Sequence, residues 1–356
     1  MSENATGRPR RRRTFSAFGD VRRMPTEYEI VTHGQNWTVR SARNGAFEQN
    51  PSSAPNLWFD TYRDNSAFRA RDWDAFRAPD KFTYRMYVNA QAESEHKVQG
   101  VLEQFGDIDA DARLAPGWVR TLAGLYTPSR YPTHGFQQVE AYIGYMAPTS
   151  YVNNAAALAT ADLLRRVTTL AYRTRQLQIA HPDSGIGTAA EGELWRTHEF
   201  WQPLRRTLET ALATYDWGEA FVAHNLVLLP TIQDVLCRQL GEIARVNGDD
   251  QTWLIEGLLA ADRQRRDTWS RALLDMVLTQ QPGTGAVVDK WLAKWAPRAD
   301  DAATAIAGFL AAAPEHPRTV EEIGAEARAA REHLLNGLLG RASDAPGADV
   351  GIEVTT

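Results

Sequence analysis

Cysteine is almost absent: Cys237 stands alone in 356 residues. One thiol forms no intrachain disulfide, so a small secreted fold held by bridges is excluded and a reducing compartment is permitted. Lysine is nearly as scarce, with only Lys81, Lys97, Lys290 and Lys294, so arginine carries most of the basic charge. No apolar run approaches the ~20 residues of a membrane span. The opening MSENATGRPRRRR lacks the apolar segment that follows the basic residues of a secretory signal. A net charge of −5 is not that of a nucleic-acid binder. There is no G-x-x-x-x-G-K-[ST] loop, no Rossmann glycine pattern and no G-x-S-x-G, so nucleotide and serine-hydrolase chemistry have no support. No stretch sustains period-2 alternation, which argues against strands. The expectation is a soluble, cytoplasmic, all-α chain with no membrane span and no nucleic-acid partner.

What is present divides the chain in three. Residues 1–79 read as an extended, irregular N-terminal arm, because prolines at 9, 25, 51, 55 and 79 and glycines at 19, 34 and 45 forbid a long regular element. Its first 13 residues read as a disordered end. Residues 1–23 hold seven arginines against Glu3 and Asp20, a cluster suited to solvent or to an acidic partner. The rest of the arm is not a polar linker. It carries Tyr28, Trp58, Phe59, Tyr62, Phe68, Trp73 and Phe76, and rings of that size need burial, either on the rest of this chain or on a partner. The expected partner interface is Arg22, Arg23, Tyr28, Trp58, Phe59, Tyr62, Trp73 and Phe76, within an arm (15–79) supplying a large part of it. Residues 80–340 read as one helical domain, and 341–356 as a flexible tail rich in small residues.

Apolar periodicity predicts helices over 80–105, 115–126, 130–146 and from about 150 to 179. Further helices are expected over 203–242, kinked by Pro230, and over 251–280, 286–295, 299–312 and 318–339. Short connections predict antiparallel neighbours in a bundle.

Two segments a hundred residues apart match. Ala161-Asp162-Leu163-Leu164-Arg165-Arg166 and Ala261-Asp262-Arg263-Gln264-Arg265-Arg266 both read A-D-x-x-R-R. Di-iron carboxylate bundles carry a Glu-x-x-His on each of two helices, because i and i+3 share a face and can hold one metal, and a lone Glu on each of the other two. The two segments resemble the Asp-Glu-x-Arg-His of bacterial multicomponent monooxygenases, and that resemblance implies that the ligand positions here hold Leu163 and Arg166, then Arg263 and Arg266. Phe221-Val222-Ala223-His224-Asn225-Leu226-Val227 resembles the third helix of that group, which implies a Glu next, where this chain has Leu228 and Leu229.

With Met146-Ala147-Pro148, Asp72-Trp73-Asp74-Ala75-Phe76-Arg77, Tyr126-Thr127-Pro128-Ser129-Arg130-Tyr131, Asp216-Trp217-Gly218-Glu219-Ala220-Phe221 and Trp291-Leu292-Ala293-Lys294-Trp295, the chain resembles the β subunit of the hydroxylase of soluble di-iron monooxygenases. That group includes the toluene, phenol, alkene, propane and methane enzymes. The resemblance implies a ferritin-like helical bundle with flanking helices, and a non-catalytic chain that supports and assembles a hydroxylase oxidising hydrocarbons with O2 and NAD(P)H-derived electrons. It implies no cofactor in this chain and a di-iron centre in a partner α subunit. It further implies a second protomer in a symmetric hydroxylase, a regulatory protein and a reductase, and in some branches a γ subunit or a Rieske ferredoxin.

Two other classes compete. An independently active di-iron enzyme would use Glu93-x-x-His96, the lone E-x-x-H of the chain, with Glu140, Glu219 and His224 as further donors; the missing second motif weighs against it. A free-standing helical binding protein would be stable without a partner. If Arg166 and Arg266 point inward, each needs a carboxylate, and Asp162 and Asp262 stand one turn away. Arginine–aspartate pairs, together with leucines, would then plug the former ligand site; the alternative is that these arginines face solvent or a partner subunit.

Overall fold

The computed structural model describes residues 25–33, 54–316 and 318–338, so Arg22, Arg23 and the tail lie outside the described residues. No strand occurs among them. Two short helices lie in the arm, α1 (Glu27–Thr32) and α2 (Ala54–Phe59). Thr26 and Glu29 close a reciprocal capping box on α1. Then follow α3 (Tyr84–Asp107), α4 (Pro116–Thr121), α5 (Arg130–Met146), α6 (Ser150–Ala180), α7 (Ala189–Thr197) and α8 (Gln202–Leu212). Next come α9 (Trp217–Val246), α10 (Asp250–Leu258), α11 (Ala260–Gln280), α12 (Gly285–Ala311) and α13 (Val320–Leu335).

The all-α, ferritin-like bundle expected from sequence is what forms. Its centre is the hairpin α5–α6 packed against α9 and α11, with α8, α12 and α13 as flanking cover. The hairpin closes tightly: a Cβ on Gly144 would sit 3.4 Å from that of Ala156, and the Asn153 amide donates to the Gly144 carbonyl at 2.8 Å. Helix α9 is long and apolar enough to cross a membrane, yet it is buried by its neighbours and serves as the core helix. The sequence had shown no such run, because Asn225, Gln233 and Asp234 interrupt it.

Three boundaries differ from expectation. The 203–242 segment is two helices, because Asp216 caps a new start by accepting from the Glu219 N–H at 2.9 Å. Pro230 breaks nothing further, since the wider π turns at Val222–Leu228 and Asp234–Gln239 accommodate the interruption. The 251–280 segment is interrupted at Leu259, and 286–312 is continuous through Pro297.

The described part of the arm is sealed onto the bundle of its own chain. Tyr28 packs on Tyr151 at 5.9 Å, and the Arg77 guanidinium lies 3.8 Å over the same ring. Phe68 enters between Trp73 and Trp217, where the lack of a side chain at Gly218 is required: a Cβ there would fall 2.1 Å from the Cβ of Phe68. Tyr28, Phe59 and Phe76, expected at a partner interface, are buried within the chain. Trp58, Tyr62 and Trp73 are half-buried against the same core, with Trp58 donating to the Tyr142 hydroxyl at 3.1 Å. The choice left open by the sequence, own chain or partner, is thus met by the chain itself for most of these rings.

Candidate metal centre

The two A-D-x-x-R-R segments meet face to face, one on α6 and one on α11. In each, the Asp and the first Arg stand at i and i+3 on one side of the helix. Because the helices run antiparallel, the pairing is reciprocal. Arg165 donates to Asp262 at 2.9 Å, and Arg265 donates to Asp162. Arg265 also reaches Asp262 at 3.0 Å. Gln91 of α3 ties the halves together. Its amide nitrogen donates to both Asp162 and Asp262 at 2.9 Å, and its oxygen accepts from Arg165 at 2.8 Å. The Tyr87 hydroxyl donates to Asp162 at 2.7 Å. Burial, reinforced by the neighbouring charge of Asp262 and opposed by Arg265, pushes the Asp162 carboxyl up to about 6.

One residue further along each helix lie the arginines at the ligand positions. Both point inward, at 5% exposure for Arg166 and 4% for Arg266. The expected pairing with Asp162 and Asp262 does not occur, since those carboxylates are held by Arg265 and Arg165. Arg166 instead makes a bidentate contact with Glu256 of α10, at 2.8 and 2.9 Å. Arg263 approaches the same carboxylate at 3.7 Å. Arg266 donates to Asp267 and to the side-chain oxygen of Gln233 on α9. Leu163, Arg166, Arg263, Arg266 and Gln233 surround a cavity of about 20 Å3, room for roughly one water. Leu229 is wholly buried in α9, and Gln233, one turn on, is the residue of that helix lining the space.

These residues do not fit a pair of iron ions. Three guanidinium groups would face the metals, Leu163 offers no donor, and the space is far too small. Among the described residues, no three His, Cys, Asp or Glu side chains stand together as a metal site.

The alternative donors are scattered. Glu93 is exposed on α3 and bonded to Lys97 at 2.9 Å, which holds its carboxyl below the usual range; His96 is exposed on the same helix. Glu219 accepts from the Trp295 indole at 2.9 Å. Glu140 and His224 do meet, at 3.2 Å and without exposure to solvent. Asn225 donates to Glu140 at 3.1 Å and to Ser270 at 3.2 Å, closing a polar knot of α5, α9 and α11. Burial pushes the pKa of the His224 imidazole down, against the pull of Glu140 and with the help of Arg266.

The model of the methane/phenol/alkene hydroxylase family matches residues 58–281. The chain belongs to this hydroxylase family. It is 38% identical over 298 residues to the toluene-4-monooxygenase hydroxylase component subunit beta of Ectopseudomonas mendocina, covering 84% of this chain and 90% of that protein. It is 26% identical over 320 residues to the propane 2-monooxygenase hydroxylase component small subunit of Rhodococcus jostii (strain RHA1), covering 83% and 80%. The structure of toluene 4-monooxygenase with toluene in its resting active site superposes with a TM-score of 0.80 at 37% identity, over 86% of this chain and 99% of that one. Phenol hydroxylase from Pseudomonas sp. OX1 shares the fold, with a TM-score of 0.78 at 18% identity, over 94% and 97%. Within the hydroxylase family the chain is a β subunit of a multicomponent monooxygenase, as its motifs imply.

Sequence reasoning found Arg166 and Arg266 but missed Glu256, Gln91, Tyr87 and Gln233. No local signal marks them, because each acts on a residue at least 33 positions away.

Proposed function

We propose that this chain is the non-catalytic β subunit that braces the catalytic α subunit of a di-iron hydroxylase, with the iron held in α. The observation that carries the reading is the filled ligand site: guanidinium groups and an aliphatic side chain occupy the positions where a di-iron bundle holds its metals. The pair of bundles oxidises a hydrocarbon with O2 and electrons from NAD(P)H. Greater identity to a toluene system than to propane systems favours an aromatic substrate. The assembly is completed by a second protomer, a reductase and a regulatory protein, with a γ subunit or a Rieske ferredoxin as further components, in the cytoplasm. The brace has a physical rationale. A metal site loses function when its ligands drift by ~0.5 Å, and a fully paired, close-packed neighbour resists such drift.

Metal analysis of the chain alone and of its complex tests this. The isolated chain is expected to contain no stoichiometric iron, and the complex with a longer subunit bearing two E-x-x-H motifs about two irons per pair. Two irons in the isolated chain, with O2-dependent hydroxylation, would overturn the reading.

A further inference from the structure

The crossed pairs of Arg165 with Asp262 and Arg265 with Asp162 form a latch whose charges balance. The cavity behind it is enclosed by an uneven set. Arg166 of α6 and Arg263 and Arg266 of α11 all line it. Arg166 takes both oxygens of Glu256, and Arg266 donates to Asp267 at 3.0 Å. Arg263 is left with a share of Glu256 at 3.7 Å, beyond hydrogen-bond length. Its Nη1 is shut from solvent and has no acceptor among the described residues. A second donor stands on the same wall. Gln233 gives its side-chain oxygen to Arg266, which leaves its amide N–H groups to donate elsewhere. The remaining acids nearby are committed. Asp162 accepts from Tyr87, Gln91 and Arg265, and Asp262 from Gln91, Arg165 and Arg265. Glu95, which also reaches Arg165, is 44% exposed and shielded by water. Glu140 belongs to the adjoining knot, held by His224 and Asn225.

We infer that this cavity is a binding site for one small monovalent anion, a halide such as chloride, held by Arg263, Arg166 and the Gln233 amide. Size selects the class. A cavity of about 20 Å3 takes a single guest of water or halide dimensions and excludes phosphate, sulfate and carboxylate ligands. Charge selects within it. A neutral water accepting from Arg263 would satisfy the N–H and leave the surplus guanidinium uncompensated, whereas an anion answers both the hydrogen bond and the charge. Ala159, Leu163 and Leu259 complete the wall with apolar surface, which suits a polarisable halide better than a strongly hydrated ion. Entry has a route. Arg263 also borders an outer groove of about 520 Å3 between α11 and α13, where Arg271 and His333 face Asp267. A bound halide would pin α6, α9 and α11 to one another at the point where the ligand positions meet. The inference needs no partner chain and stands apart from the β-subunit reading.

Two measurements on the full chain test it. Thermal unfolding is followed while sodium gluconate is exchanged for sodium chloride at constant ionic strength. Tm is expected to rise by roughly 2–4 °C and to saturate below about 100 mM chloride. Arg263→Gln is expected to lose most of that rise, and Arg196→Gln, on the exposed side of α7, to keep it. Crystals soaked in sodium bromide are expected to show an anomalous peak inside the cavity in the wild type, and a peak reduced at least several-fold in Arg263→Gln. A wild-type Tm indifferent to chloride, or a cavity without a bromide peak, would overturn the inference, and neither result depends on the variant folding. An equal peak in Arg263→Gln would mark an adventitious ion only and overturn it as well.

Discussion

The pairing of Arg166 with Glu256 sets a sharp demand on stability. Glu256→Ala removes a carboxylate that is 3% exposed and bonded twice to a guanidinium that is 5% exposed. Among the described residues the other acceptor in reach is the Leu236 carbonyl at 3.5 Å, which neutralises nothing. An unpartnered buried charge costs about 3–5 kcal/mol. Unfolding entropy of ~2.1 cal/mol/K per residue makes ~0.7 kcal/mol/K for a chain of this size, so Tm is expected to fall by roughly 4–7 °C. The double variant Arg166→Met/Glu256→Met removes both charges and fills similar volume. It is expected to come back to within ~1 kcal/mol of the wild type or to exceed it, since apolar replacement of a buried pair is often neutral or stabilising. Arg263 then turns its partly exposed head to water. Urea and thermal unfolding of the three proteins measure this directly. A single variant costing under ~1 kcal/mol, or a double no better than the single, would refute the argument that the carboxylate is there to compensate a buried cation.

Two further outcomes follow from the same geometry. The Asp162 carboxyl is pushed up to about 6 in the folded chain, above its ordinary value of 3.8, so the folded state binds the proton more tightly than the unfolded one. Its contribution therefore improves as pH falls through 6 towards 4. The stability of the wild type relative to Asp162→Asn should rise by up to ~3 kcal/mol between pH 7 and pH 4, and a difference that moves the other way in urea titrations would contradict the latch geometry. Gly218→Ala places a methyl group in the space of Phe68, whose Cβ is not free to move aside. It should cost ~1–3 kcal/mol and speed proteolysis around residues 66–73, and an unchanged cleavage rate would show that the arm is not anchored there.

The helical bundle was legible because its signals are local. The apolar spacing of α5 and α6, the Ala147-Pro148 stop between them and the Pro282-Gly283 end of α11 each read within a few residues. Repetition of A-D-x-x-R-R gave the two helices of the latch, and the missing ligands gave its chemistry. What the spacing could not give was partner choice. Asp162 stands four residues from Arg166 and 103 from Arg265, and sequence distance favours the former. Antiparallel packing makes the crossed pairing the available one and leaves Arg166 to a carboxylate on a different helix. The break at Leu259 concealed that helix, since the periodicity of 251–280 runs through it. Arm aromatics were ambiguous for a related reason: a ring that needs cover does not state whose surface supplies it.

The pocket that guanidinium groups fill is also a trap for any acid placed there. An acid introduced at position 163 would find Arg166 and Arg263 already in place and would settle as their counter-ion, not as a ligand. Binding iron would require several exchanges at once, with each intermediate gaining nothing. A chain whose ligand positions hold arginines and a leucine in this way is kept from metal chemistry by its own interior.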